Sequence, residues 1–351
     1  MKLSDFKHIQ ITKKDGLIIL APIFALIMCL LMTDPRNPSQ SPLYPQTNRS
    51  FWFCFLALCA SRLHVVMTVF RSHLNPQIIK NRVIPIILVP TIVLTLYFST
   101  HWFFKFIGII VLYWDMWHSS MQIYGFSRIY DFSNKDNTPH SQNIYFKFSE
   151  IIFAFSIVLI PHFLVLFSVS PAYYIEAADL FIGSESSNLN FVVNNMQLLY
   201  DFFYYLFILA SLNYILSLIK RSKLNYHHDV RKYLLYFTVA TASIVSAFRV
   251  TVLEMICLHN LYHAFQYYLS LYYFNKIKVN EKDDFLSSFL RSYYKPLFLI
   301  CLLSVFFILF FYTDRVLELP LNSKTWLIFS ILHFYADGFI WSVSKNEVSA
   351  Q

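Results

Sequence analysis

Long apolar segments alternate with short polar segments along nearly the whole chain. Within the apolar segments, polar residues do not alternate with apolar ones, which favours helices over the strands of a membrane barrel. About 20 helical residues cross the hydrocarbon core of a bilayer. The pattern therefore predicts an all-α fold, a polytopic membrane helical bundle in which residues 1–351 form a single transmembrane domain. Ten spans are expected at residues 16–33, 51–70, 83–99, 103–125, 150–170, 199–219, 233–248, 252–273, 296–313 and 325–344.

Basic residues are distributed unevenly between the predicted loops. With the N-terminus placed inside, the inside segments carry 21 lysines and arginines and the outside segments carry five. This bias predicts that both termini are cytoplasmic in a multi-pass protein of the bacterial inner membrane or an equivalent membrane. Between the predicted spans 233–248 and 252–273, only Arg249 and Glu254 interrupt the apolar run.

Composition supports a membrane location and excludes several functions. Hydrophobic residues make up 57% of the chain and charged residues 14%, whereas soluble domains carry about 25% charged residues. The five glycines lie far apart, so they cannot build a phosphate loop or a dinucleotide fingerprint. The net charge of +8 is explained by basic cytoplasmic loops and their attraction to anionic lipids. The expected partner is therefore the lipid bilayer, and no nucleic acid partner is expected.

Ionisable side chains inside the apolar segments form the main candidate site. The eighth predicted span carries His259, His263 and Gln266 on one face, because residues four and seven apart share a helix face. Two histidines one turn apart occur in the zinc-binding HExxH motif. The acid of that motif is replaced by Asn260, which excludes a metalloprotease of this type.

Two other predicted spans carry polar residues at similar spacing. The fourth span carries Asp115, His118 and Gln122, three and four residues apart, and the tenth carries His333 and Asp337, one turn apart. A charged group inside a membrane costs roughly 2.5–3.5 kcal/mol on insertion scales. These faces are therefore predicted to point into the helical bundle.

The second predicted span carries Arg62 and His64, and the fifth carries His162 directly after Pro161. His162 is expected only to hydrogen-bond a neighbouring helix. His64 is expected to join the other histidines at a similar depth.

Imidazole and carboxylate ligands together suit iron, zinc or manganese. We predict a transition-metal site, with iron as the first choice and zinc or manganese as alternatives. The predicted ligands are His64, His118, His259, His263, His333 and Asp337. The predicted catalytic residues beside them are Asp115, Gln122 and Gln266.

The spacings His259-x3-His263, His118-x3-Gln122 and His333-x3-Asp337 resemble the histidine clusters of integral-membrane metal oxygenases. These are the fatty-acid desaturases and hydroxylases and the bacterial carotene-cleaving dioxygenases of the Brp/Blh type. The resemblance implies iron held by histidines from several helices, O2 as co-substrate, and an apolar, lipid-like substrate reached from within the bilayer. It also allows a redox partner on the cytoplasmic side.

The sequence therefore predicts a membrane-embedded, histidine-ligated metalloenzyme that acts on a lipid or isoprenoid as an oxygenase, hydroxylase or desaturase. One alternative is a proton-coupled secondary transporter that uses intramembrane histidine and aspartate. Another is a metal-free lipid transferase or hydrolase, with His118 or His333 as general base. A structural or partner subunit is the remaining class.

Overall fold

The structure is a computed structural model, and its described residues form seven long helices and no strand. It describes residues 11–35, 47–73, 87–88, 91–92, 95, 101–133, 143–168, 194–224, 226, 228–277 and 333. The helices are α1 (Lys13–Met32), α2 (Asn48–His73), α3 (His101–Ser133), α4 (Ile144–Phe167), α5 (Met196–Lys223), α6 (Val230–Arg249) and α7 (Val252–Ile277). The predicted all-α class is confirmed for this part of the chain.

Three of these helices, α1, α4 and α5, are long and apolar enough to cross a membrane. They overlap the predicted spans 16–33, 150–170 and 199–219, and they indicate that the protein associates with a membrane. One face of α5 exposes large apolar side chains at intervals of three and four residues, as expected for a surface in contact with lipid. These side chains are Leu198, Phe202, Tyr205, Leu209, Leu212 and Leu216.

Four other predicted spans overlap helices α2, α3, α6 and α7. The predicted spans 296–313 and 325–344, apart from His333, lie outside the described residues, as does most of 83–99. The number of ten spans and the cytoplasmic position of both termini therefore stay predictions.

The break between α6 and α7 is formed by a helix cap rather than by glycine or proline. The backbone N–H of Glu254 donates to Thr251 Oγ1 at 3.3 Å. In return, the backbone N–H of Thr251 donates to Glu254 Oε2 at 2.8 Å. This reciprocal pair is a capping box, and it starts a new helix directly after α6 ends at Arg249.

The chain divides into two compact units. The first unit contains the whole of α1, α4, α5 and α6. It also contains the part of α2 before residue 58, the part of α3 from residue 114 and the part of α7 up to residue 266. In this unit α4 packs against α5 and α6, and α1 packs against α6. Small buried residues such as Ala25, Ala154 and Ala242 allow these helices to approach closely.

The second unit contains the remaining parts of α2, α3 and α7, together with His333. In it, the hydroxyl of Tyr268 on α7 donates to the backbone oxygen of Ala60 on α2 at 2.8 Å. The prediction of one domain over the whole chain stays a prediction, because much of the second unit lies outside the described residues.

Candidate metal centre

His118 on α3 and His263 on α7 form one pair of buried imidazoles. Their ring centroids lie 4.9 Å apart, and the residues are 8% and 2% exposed. The side-chain amide of Gln122, one turn after His118, donates to the backbone oxygen of His263 at 3.2 Å. It also donates to Gln266 Oε1 at 3.2 Å. Gln266 in turn donates to the backbone oxygen of Ile18 at 3.0 Å, so two glutamines connect α3, α7 and α1.

His64 on α2 and His333 form a second pair of buried imidazoles. Their ring centroids lie 4.3 Å apart at an interplanar angle of 82°, and each residue is 1% exposed. The ring of Tyr267 lies with its centroid 3.9 Å from that of His64. The His64 ring therefore has another ring on two sides.

The four histidines of these two pairs could hold a metal ion. One nitrogen from each of His64, His118, His263 and His333 lies within 4.8 Å of the nitrogens of the other three. In a tetrahedral site with metal–nitrogen bonds of about 2.1 Å, neighbouring nitrogens lie about 3.4 Å apart. The widest pair would therefore have to close by at most about 1.4 Å, or about 0.7 Å for each ring. Four of the six predicted ligands therefore form a buried group that could hold a metal ion.

Asp115, predicted to be a catalytic residue, lies on α3 one turn before His118. Its half-buried carboxyl is hydrogen-bonded to the side chain of Asn260 on α7. Asn260 occupies the place of the acid in the HExxH pattern, and here it joins α7 to α3. A carboxyl group is thus fixed beside the histidine group without belonging to it.

The other two predicted ligands lie outside this group or outside the described residues. The ring of His259 pairs with His162 on α4, with centroids 4.4 Å apart. Asp337 lies outside the described residues. Metal ligation by His259 and Asp337 stays a prediction.

A second cluster of buried ionisable side chains was missed by the sequence analysis. It is a buried ion cluster made of Arg128, Asp131, Glu150, Arg221 and Lys232, from helices α3, α4, α5 and α6. Lys232 Nζ lies 2.8 Å from Asp131 Oδ2 and also contacts Glu150. Arg221 forms an ion pair with Glu150, and Arg128 lies 3.3 Å from Asp131. The basic members had been interpreted only as cytoplasmic loop charges, whereas their side chains are buried.

The segment between α5 and α6 also contacts the ion cluster. Tyr226 donates its hydroxyl hydrogen to Asp131. Burial raises the pKa of the Tyr226 phenol well above its ordinary value, and the negative charge of Asp131 raises it further. The phenol is therefore held protonated, as a hydrogen-bond donor to the carboxylate requires.

A smaller ion group lies next to this cluster in the sequence. Arg231 lies 2.7 Å from Asp229 and 3.4 Å from Asp15, which joins the start of α6 to α1. Together with the ion cluster, four cations face four carboxylates. The buried charges of the two groups therefore balance, as expected from the high cost of burying unpaired charges.

In the part of the chain that the structure describes, the fold and the site define a helical, membrane-associated protein in which four buried histidines could hold a metal ion. No protein-family model, no curated protein and no solved structure matches this chain. The function is therefore inferred from the site itself.

Proposed function

We propose that the protein is a membrane-embedded metalloenzyme of the oxygenase, hydroxylase or desaturase class, with iron as its metal and a lipid or isoprenoid as its substrate. The observation that carries this proposal is the convergence of His64, His118, His263 and His333, with one nitrogen of each within 4.8 Å of the others. Imidazole nitrogen is a good ligand for iron and zinc.

The ligand type determines what the site could do chemically. Imidazole ligands bring no negative charge, so an ion held by these four histidines would keep its positive charge and act as a strong Lewis acid. An iron ion held there would supply the redox chemistry with O2. The chain itself would hold the ion through its histidines. The carboxyl of Asp115, hydrogen-bonded to Asn260, would accept or return a proton beside His118.

The membrane-like helices of the protein favour an apolar substrate. Helices α1, α4 and α5 have the length and composition of membrane spans, and α5 exposes an apolar face. Both O2 and a lipid chain dissolve in the bilayer, so both would reach the site without crossing water. We place the protein in the membrane with ten spans and cytoplasmic termini, where a cytoplasmic redox partner would supply electrons.

Metal binding is the direct test of this proposal. The purified protein is loaded with Fe(II), Zn(II) or Mn(II) in separate samples, and the metal content is measured by mass spectrometry. We expect about one ion for each chain, and loss of this ion in His118→Ala and His263→Ala. His162→Ala is the matched control, because His162 is a buried histidine outside the group. A folded protein without stoichiometric metal, or an equal loss in the control, would contradict the proposal.

The reaction class is tested by lipid analysis. Lipids are extracted from cells that express the wild-type protein or His263→Ala and are compared by mass spectrometry. We expect hydroxylated, cleaved or desaturated products that depend on His263. Identical lipid profiles in cells supplied with isoprenoid and acyl lipids would remove the oxygenase assignment, even if the metal site were present.

A further inference from the structure

His162 on α4 and His259 on α7 form a buried imidazole pair that is separate from the four-histidine group. Their ring centroids lie 4.4 Å apart at an interplanar angle of 51°. His162 is 6% exposed and His259 is 0% exposed. Neither residue belongs to the four-histidine group, so this pair is independent of the proposed metal site.

Hydrogen bonds to the backbone determine the tautomer of both rings. His162 Nδ1 lies 2.7 Å from the backbone oxygen of Val158. His259 Nδ1 lies 2.9 Å from the backbone oxygen of Met255. A carbonyl oxygen only accepts hydrogen bonds, so the proton must be on Nδ1 in both rings. In a neutral ring, Nε2 then carries the lone pair and is an acceptor.

The two acceptors differ in their partners. His259 Nε2 lies 2.9 Å from the hydroxyl of Ser243 on α6, which donates to it. His162 Nε2 is buried and has no hydrogen-bond partner within the described part of the chain. A buried acceptor without a donor is unfavourable, and most such atoms in proteins have a protein or water partner. In this pair, the Nε2 acceptor of His259 is therefore satisfied by Ser243, whereas the Nε2 acceptor of His162 is not.

We propose that His162 Nε2 accepts a hydrogen bond from the hydroxyl group of a bound molecule, either a water or an alcohol at the end of an apolar chain. Helix α4 has the composition of a membrane span, so a long-chain alcohol would reach His162 from the bilayer. A metal is a poorer fit than a hydroxyl donor, because Ser243 already occupies Nε2 of His259 and leaves one imidazole nitrogen of the pair available.

Solid-state 15N NMR of histidine-labelled protein in lipid bilayers tests this proposal. The shift of an unprotonated imidazole nitrogen changes when that nitrogen accepts a hydrogen bond. His162→Phe assigns the His162 signals by their disappearance, and His162→Gln provides the same assignment if the first variant does not fold. Ser243→Ala removes the donor to His259 Nε2, and it therefore provides the shift of an unbonded nitrogen within this protein.

The spectra are recorded without additive, with dodecanol and with dodecane as the hydrocarbon control. We expect the His162 Nε2 signal at the hydrogen-bonded position and away from the Ser243→Ala reference. A bonded signal in all three samples identifies water as the donor, and a bonded signal with dodecanol alone identifies the alcohol. A signal at the unbonded position in every sample, or a proton on Nε2 instead of Nδ1, would overturn the proposal.

Discussion

Gln122 on α3 donates a hydrogen bond of 3.2 Å to the side chain of Gln266 on α7. Its second amide hydrogen is directed to the backbone oxygen of His263 at 3.2 Å. Gln122 therefore determines where the backbone that carries His263 lies relative to His118, which is one turn away on α3. These contacts indicate a positioning role for Gln122 beside the histidine group, and its predicted catalytic role stays a prediction.

Replacing Gln122 with leucine should weaken metal binding without unfolding the protein. The change removes both hydrogen bonds and leaves all four histidines in place. Loss of a supporting partner costs about 10–100-fold in metal affinity at known sites. Because Gln122 contacts the backbone rather than an imidazole, we expect about tenfold. Zinc affinity is measured by competition with a chelator.

Gln197→Leu is the matched control, since Gln197 is an exposed residue of α5 that bonds Asp201 at 3.1 Å. It should leave zinc affinity unchanged. Equal affinities for the two variants and the wild-type protein would show that Gln122 does not position His263.

The sequence predicted which residues share a helix face but not which faces meet. His259 and His263 lie one turn apart on α7, and spacing alone assigns them to one site. In the structure, His263 pairs with His118 of α3, whereas His259 pairs with His162 of α4. The partner of each ring lies about one hundred residues or more away in the chain, so packing between helices decides the pairing.

The ion cluster was missed for a related physical reason. Arg128, Arg221 and Lys232 lie near the ends of apolar segments, where the positive-inside rule alone accounts for basic residues. Their carboxylate partners include Glu150, which lies 71 residues from Arg221 and 82 from Lys232 in the chain. No local pattern reports an ion pair at such separations.

Replacing Lys232 with methionine should destabilise the protein strongly. Lys232 is fully buried and contacts both Asp131 and Glu150, so its removal takes a cation away from two buried carboxylates. Breaking a buried ion pair in this way typically costs about 3–5 kcal/mol. We expect a large fall in the thermal midpoint in detergent, or loss of folded protein on size-exclusion chromatography.

The matched control is Lys223→Met, because Lys223 is an exposed residue at the end of α5. It removes the same charge without uncovering a buried carboxylate. A similar loss of stability in both variants would assign the effect to net charge rather than to the ion cluster.

Replacing Tyr226 with phenylalanine should destabilise the protein by an amount that is independent of pH between 7 and 9. The variant removes the donor to Asp131, and an unsatisfied buried group costs about 1–3 kcal/mol. The pKa of Tyr226 is raised in the folded state by burial. The stabilisation is therefore fully present below the unfolded pKa of about 10. Thermal midpoints of both proteins at pH 7, 8 and 9 provide the measurement.

A difference between the two proteins that already shrinks from pH 7 to pH 9 would mean that the phenol ionises in this range. That result would contradict its role as a permanent donor to Asp131.

Replacing Thr251 with alanine should loosen the start of α7. The sequence Thr251-Val-Leu-Glu254 has the Thr-x-x-Glu spacing of a capping box, so this break was predictable, although only Arg249 and Glu254 had been noted there. Loss of a threonine N-cap costs about 1 kcal/mol, with a range of about 0.5–2 kcal/mol. Hydrogen exchange should become faster at the first turn of α7 and remain unchanged at its centre.

Thr241→Ala, inside α6, is the control, because Thr241 does not lie at a helix start. Faster exchange throughout α7, or the same change in the control, would show that the break between α6 and α7 does not depend on this cap.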